Sequence, residues 1–154
     1  MEDWASRAAA RDLEVQDREH LHLLKEERDS QIKDKHGIEM FQRLNQWMRD
    51  QVDNYNRKVR EKRYSVSLVN EPDYTRKSER EFSVIRTDGS KQPLKLTYDP
   101  TVHRLRCESP AGHREYILAV GKDGQPRFES LYHQVKTIEE IGTELLDSWE
   151  AAPF

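Results

Sequence analysis

The chain has 154 residues, of which 36% are charged and 34% hydrophobic, with a formal net charge of −3. An average protein is about 25% charged, so the apolar residues suffice for one compact domain with a polar extension but not for a core running through the whole chain. The weak negative charge offers no global attraction to nucleic acid or anionic membrane, and Cys107 as the sole cysteine excludes an intramolecular disulfide framework.

Residues 3–63 read as helix. No proline precedes Pro72, and Gly37 is the only glycine in this stretch; Ala, Arg, Glu, Lys, Leu and Gln dominate it. Asp34-Lys35-His36-Gly37 has the form of a helix end, with cations near the carbonyl terminus and a glycine able to take positive φ. Two helices are therefore expected, with one continuous helix as the alternative. In the first, Leu13, Leu21, Leu24 and Ile32 form a sparse stripe interrupted by Asp17 and Arg28. Such a helix is solvent-exposed or awaits a partner, and its heptads are too few for a sustained coiled coil. In the second, Phe41, Leu44, Met48, Val52, Tyr55 and Val59 recur at steps of three and four and must pack on something.

From Tyr64 onward the pattern changes to alternation. Tyr64, Val66 and Leu68 mark a first strand, Phe82 and Val84 a second, and Leu94, Leu96 and Tyr98 a third. His103, Leu105 and Cys107 mark a fourth, Tyr116, Leu118 and Val120 a fifth, and Phe128 with Tyr132 a sixth. Asp88-Gly89 and Asp123-Gly124 favour tight hairpin turns, and Asp99-Pro100 and Pro110-Ala111-Gly112 supply further breaks. Short turns imply a meander in sequence order. The longer Asn70–Arg80 connection, with Pro72, reads as a mobile loop. Tyr116-Ile117-Leu118-Ala119-Val120 is apolar on both faces, which predicts cover on both sides of the sheet, by the last helix and by the Phe41–Val59 stripe; two helices on one face are the alternative. Thr137 and Glu140 form a capping box, followed by the stripe Ile138, Ile141, Leu145 and Trp149.

The expected fold is α+β: a five- to six-stranded antiparallel meander packed on a C-terminal helix (residues 64–154), preceded by a long helical arm (residues 1–63), in two helices. No cofactor or metal site is expected. His20 and His22 point about 200° apart on a helix, and His103 and Cys107 stand roughly 13 Å apart along a strand. Cys107 lies on an apolar strand face, so packing explains it better than nucleophilic chemistry. No phosphate-binding loop is present, since Val120-Gly121-Lys122-Asp123-Gly124 lacks the required spacing and following helix.

Three functional classes remain. The preferred one is a non-enzymatic interaction protein, an adaptor, regulator or assembly subunit. It would bind a protein partner, with a second copy preferred, through Leu13, Leu21, Leu24 and Ile32. The second is a nucleic-acid-binding accessory protein using Arg57, Lys58, Arg60, Lys62 and Arg63, extended by Arg76, Lys77 and Arg80, because cations interleaved with aromatics suit a phosphate backbone and stacked bases. The third is a ligand-binding or enzymatic site in the concavity of the sheet, around Tyr98, His103 and Tyr116. The acidic start Met1-Glu2-Asp3-Trp4 lacks the form of a signal peptide and no run of roughly eighteen apolar residues spans a bilayer, so a cytoplasmic protein without membrane attachment is expected.

Overall fold

The computed structural model describes residues 3–70 and 80–152. Helix α1 spans Trp4–Lys58, 55 residues without interruption, or about 83 Å. Asp3 caps it by accepting a hydrogen bond from the Ser6 amide at 2.8 Å, which holds the Asp3 carboxyl below its ordinary range. A short 3-10 turn at Lys62–Tyr64 leads into the sheet.

Seven strands follow: β1 Val66–Asn70, β2 Glu81–Arg86, β3 Leu94–Asp99, β4 Arg104–Ser109, β5 Gly112–Val120, β6 Pro126–Ser130 and β7 Val135–Lys136. They lie side by side in sequence order, every neighbouring pair antiparallel. Helix α2, Ile138–Ala151, closes the chain. Its capping box is formed: the Glu140 amide donates to Thr137 Oγ1 at 3.1 Å, and the Thr137 amide to Glu140 Oε1 at 3.2 Å. Gly89 and Gly124 take φ of 71° and 75° in the two Asp-Gly turns, the left-handed conformation that glycine adopts without strain.

The α+β class, the meander and the C-terminal helix are as the sequence predicts, although Tyr64 and His103, expected in the first and fourth strands, lie in the turns just before them; four further details differ. The arm is one helix rather than two, because Gly37 is a contact point and not a stop. A Cβ at Gly37 would collide with the Tyr98 hydroxyl and stand 2.8 Å from Tyr98 Cζ, so the absent side chain is what lets the helix lie against the sheet. The strand count is seven: β7 is two residues long, too short to show a period. Tyr132, assigned to the sixth strand, follows the end of β6 and is 89% exposed. Finally, both helices cover the same face of the sheet. Phe41, Leu44 and Met48 of α1 and Ile141, Leu145 and Trp149 of α2 join Phe82, Leu96, Leu105, Leu118 and Phe128 in one core.

The opposite face is open. Ile85, Ile117 and Ala119 are only half-buried there, among charged side chains that pair both across strands and along β6. Lys95 Nζ meets Glu81 at 2.7 Å, Arg104 and Arg106 converge on Glu115 at 3.4 and 3.5 Å, and Arg127 reaches Glu129 at 3.1 Å. The apolar residues of β5 on this side thus lie among charged neighbours rather than under a helix.

Cys107 is 1% exposed in the core, and burial pushes its thiol well above the ordinary range. It is therefore expected to react slowly with a thiol reagent in the native protein and quickly after denaturation. Labelling at equal rates in the two states would refute its placement.

Candidate functional site

The sequence-predicted interaction residues lie on the part of α1 that leaves the globular body. From Trp4 to Gln31 every residue is exposed except Ala8 and Asp29, which are half-buried. This length is about 42 Å of helix. Leu13, Leu21 and Leu24 are 58%, 63% and 48% exposed, and Ile32, nearer the body, is half-buried without belonging to the core. Trp4, Val15 and Leu23 are exposed as well. Sequence reading passed over these three, since none falls on the stripe and exposure itself has no sequence signal.

The root of the arm is held in place. His103 Nε2 donates to Asp34 Oδ1 at 2.7 Å, with His103 in a left-handed backbone conformation at φ 54° in the turn before β4. One helical turn further on, Gly37 rests on Tyr98 and Leu118. These contacts fix the direction in which the arm projects, while the uninterrupted helical hydrogen bonding carries that direction outward.

The two apolar stripes of α1 do not face the same way. At 100° per residue, the centre of the Leu13–Leu21–Leu24–Ile32 stripe lies about 150° round the helix from the centre of the Gly37–Phe41–Leu44–Met48–Val52 stripe. The second stripe is buried against the sheet. The first therefore points away from the body of its own chain, and Leu13, Leu21 and Leu24 on it are exposed.

Arg57, Lys58, Arg60 and Lys62 are exposed at the end of α1 and in the turn that follows. The side chain of Arg63 and the residues Arg76 and Lys77 lie outside the described residues. Arg80 is exposed in the turn just before β2. Tyr55, the aromatic before this segment, is engaged elsewhere: its hydroxyl accepts from Arg86 Nη1 at 3.0 Å.

Of the residues expected in the sheet concavity, Tyr98 and Tyr116 stand either side of Leu105 on the face that the helices cover. Tyr98 is 2% exposed and its hydroxyl has no hydrogen-bond partner among the described residues; burial pushes its pKa up to about 12. Tyr116 donates to Glu144 Oε2 at 2.9 Å, and the same carboxylate receives Lys136 Nζ at 2.6 Å. Burial pushes the Glu144 carboxyl up, but these two hydrogen bonds and the cations Lys136 and Arg114 outweigh it and hold it below the ordinary range. His103 belongs to the arm root. Among the described residues no group of three His, Cys, Asp or Glu side chains could hold a metal ion.

One feature had no sequence signal. Arg86 and Lys91, 7% and 6% exposed, stand 5.3 and 5.4 Å from the Trp149 ring, close enough for cation–π attraction. Arg86 Nη1 also donates to the Tyr64 carbonyl at 2.7 Å, and Lys91 Nζ to the Glu150 carbonyl at 2.8 Å. Burial lowers the Lys91 pKa, and the nearby Arg86 charge adds to that. A cleft of about 170 Å³ adjoins Arg86, lined also by Val52, Tyr55, Val66, Leu146 and Trp149. The contacts lock the last turn of α2 onto the sheet and account for the two buried cations structurally.

No helix among the described residues is long and apolar enough to cross a membrane. Comparison with protein-family models, with characterised proteins and with solved structures finds no match.

Proposed function

We propose that this chain is a non-enzymatic interaction protein, in which a folded sheet-and-helix body holds out a rigid helical arm for a protein partner. The observation that carries this reading is the stripe Leu13, Leu21, Leu24 and Ile32, placed on the side of α1 turned away from its own core. Isolated helices gain little from propensity alone and take most of their stability from packing an apolar face. An arm of this length with four large apolar residues directed outward is best accounted for by a partner that covers them. The basic segment at the end of α1 has a simpler explanation, since cations there complement the helix dipole, and it ranks second.

The double variant Leu21→Asp/Leu24→Asp tests the reading. Because neither side chain touches the core, thermal unfolding of the body is expected within about 2 °C of the parent, as for surface substitutions generally. Association, followed by light scattering and by co-purification from the native host, is expected to be lost. A variant that associates as the parent does would refute it.

A further inference from the structure

The arm stripe has an order that its composition does not require. Its positions run Leu13, Asp17, Leu21, Leu24, Arg28, Ile32, and at 100° per residue all six fall within about 100° of helix surface. The two polar interruptions carry opposite charges. They also stand symmetrically about a point between His22 and Leu23: Asp17 mirrors Arg28, Leu21 mirrors Leu24, and Leu13 mirrors Ile32.

A two-fold axis perpendicular to a pair of antiparallel helices brings together positions whose numbers have a constant sum, and such an isologous contact is self-complementary by construction. With the axis at the midpoint of this stripe, each Asp17 faces the Arg28 of the other copy, twice in the pair. Leu21 packs on Leu24 in the two central layers, and Leu13 on Ile32 in the two outer ones. The alternative parallel pairing would set Asp17 on Asp17 and Arg28 on Arg28, two like-charge contacts on an otherwise apolar seam.

The rest of the molecule permits the antiparallel arrangement. Where the partner's helix would run past the root of the arm, it meets the outward side of α1, on which Lys35, Glu39, Gln42 and Gln46 are exposed. The sheet lies on the other side of the helix, against Gly37, Phe41 and Leu44. The two bodies would then stand at opposite ends of the paired arms without colliding.

Resting on the reading of the arm as an interaction surface, we infer that its partner is a second copy of this chain, paired antiparallel with Asp17 of each copy against Arg28 of the other. The full chain is expected to be a dimer by light scattering. Asp17→Arg should raise the dimer dissociation constant about tenfold or more, since two attractive contacts become repulsive; Asp17→Arg/Arg28→Asp, which restores opposite charges in the same register, should return it to within about threefold. Register is read directly by mixing full-length Asp17→Cys and Arg28→Cys chains with a short thiol–thiol cross-linker. The mixture should yield a cross-linked dimer of the two variants, whereas either variant alone should not, its own pair of cysteines being about 16 Å apart. Buried Cys107 does not compete. Efficient cross-linking of each variant alone would overturn the antiparallel register while leaving self-association standing. A monomeric full chain would overturn self-pairing; if it still co-purifies with another protein through Leu21 and Leu24, the interaction reading survives, and if it does not, both fall.

Discussion

Met48→Asp is expected to unfold the protein or leave it barely folded at room temperature. Met48 is fully buried, at the centre of the α1 stripe that shares one core with the sheet and α2. Removing the thioether side chain forfeits about 2–5 kcal/mol of packing, and a carboxylate without a partner adds a desolvation cost of at least a few kcal/mol. Set against a typical total stability of about 5–15 kcal/mol, the sum removes most or all of it. Thermal unfolding followed by circular dichroism checks this. An unchanged midpoint would mean that the second half of α1 contributes nothing to the core and merely lies beside it.

Gly37→Ala should destabilise the protein by up to about 2 kcal/mol, against the expectation from helix propensity. Glycine inside a helix costs roughly 1 kcal/mol relative to alanine, so on propensity alone the substitution would stabilise α1. The added methyl group meets the hydroxyl end of Tyr98 and comes within 3.2 Å of Leu118 Cδ2. Neither neighbour can swing aside easily: Tyr98 is buried and stacked on Phe41 with ring centroids 5.9 Å apart, and overpacking of this kind costs about 1–3 kcal/mol. Tyr98→Phe separates the two effects. Its hydroxyl is buried without a hydrogen-bond partner among the described residues, so removing it is expected to be neutral or stabilising and to relieve much of the Gly37→Ala defect in the double variant. Additive effects in that double-mutant cycle would show that the clash is not the cause. A stabilised Gly37→Ala would place the root of the arm further from the sheet.

These two positions also show what local sequence can and cannot carry. The stripe containing Met48 is legible because helical periodicity depends only on residue spacing, and any helix with such a face must bury it. Gly37 is misread because the same residue serves two purposes. Near cationic residues it resembles a helix end, and only the approach of Tyr98 from a strand some sixty positions away in the chain makes it a close-packing site within a continuous helix. The exposure of Leu13, Leu21 and Leu24 follows from the sparseness of their stripe, whereas that of Val15 and Leu23 had no signal. The burial of Arg86 was equally invisible, since it occupies the inward position next after Val84 on β2 and is accommodated by Trp149 and Tyr55 from two different helices.

By itself the sequence determined the elements whose causes are local. Alternation at period two and Asp-Gly turns specify hairpins one after another, and hence a meander, while Thr137 and Glu140 start the last helix with no help from distant contacts. Tertiary structure alone decided the features that depend on what faces what. Both helices share one side of the sheet because the inward residues of β2 to β6 form the continuous apolar surface, whereas Ile117 and Ala119 lie among paired charges. β7 exists because β6 offers it an edge, not because two residues carry a pattern. The arm runs straight through Gly37 and turns its stripe of Leu13, Leu21, Leu24 and Ile32 away from the body because a helix of 3.6 residues per turn, fixed in orientation by the buried stripe that follows, leaves those positions no other direction.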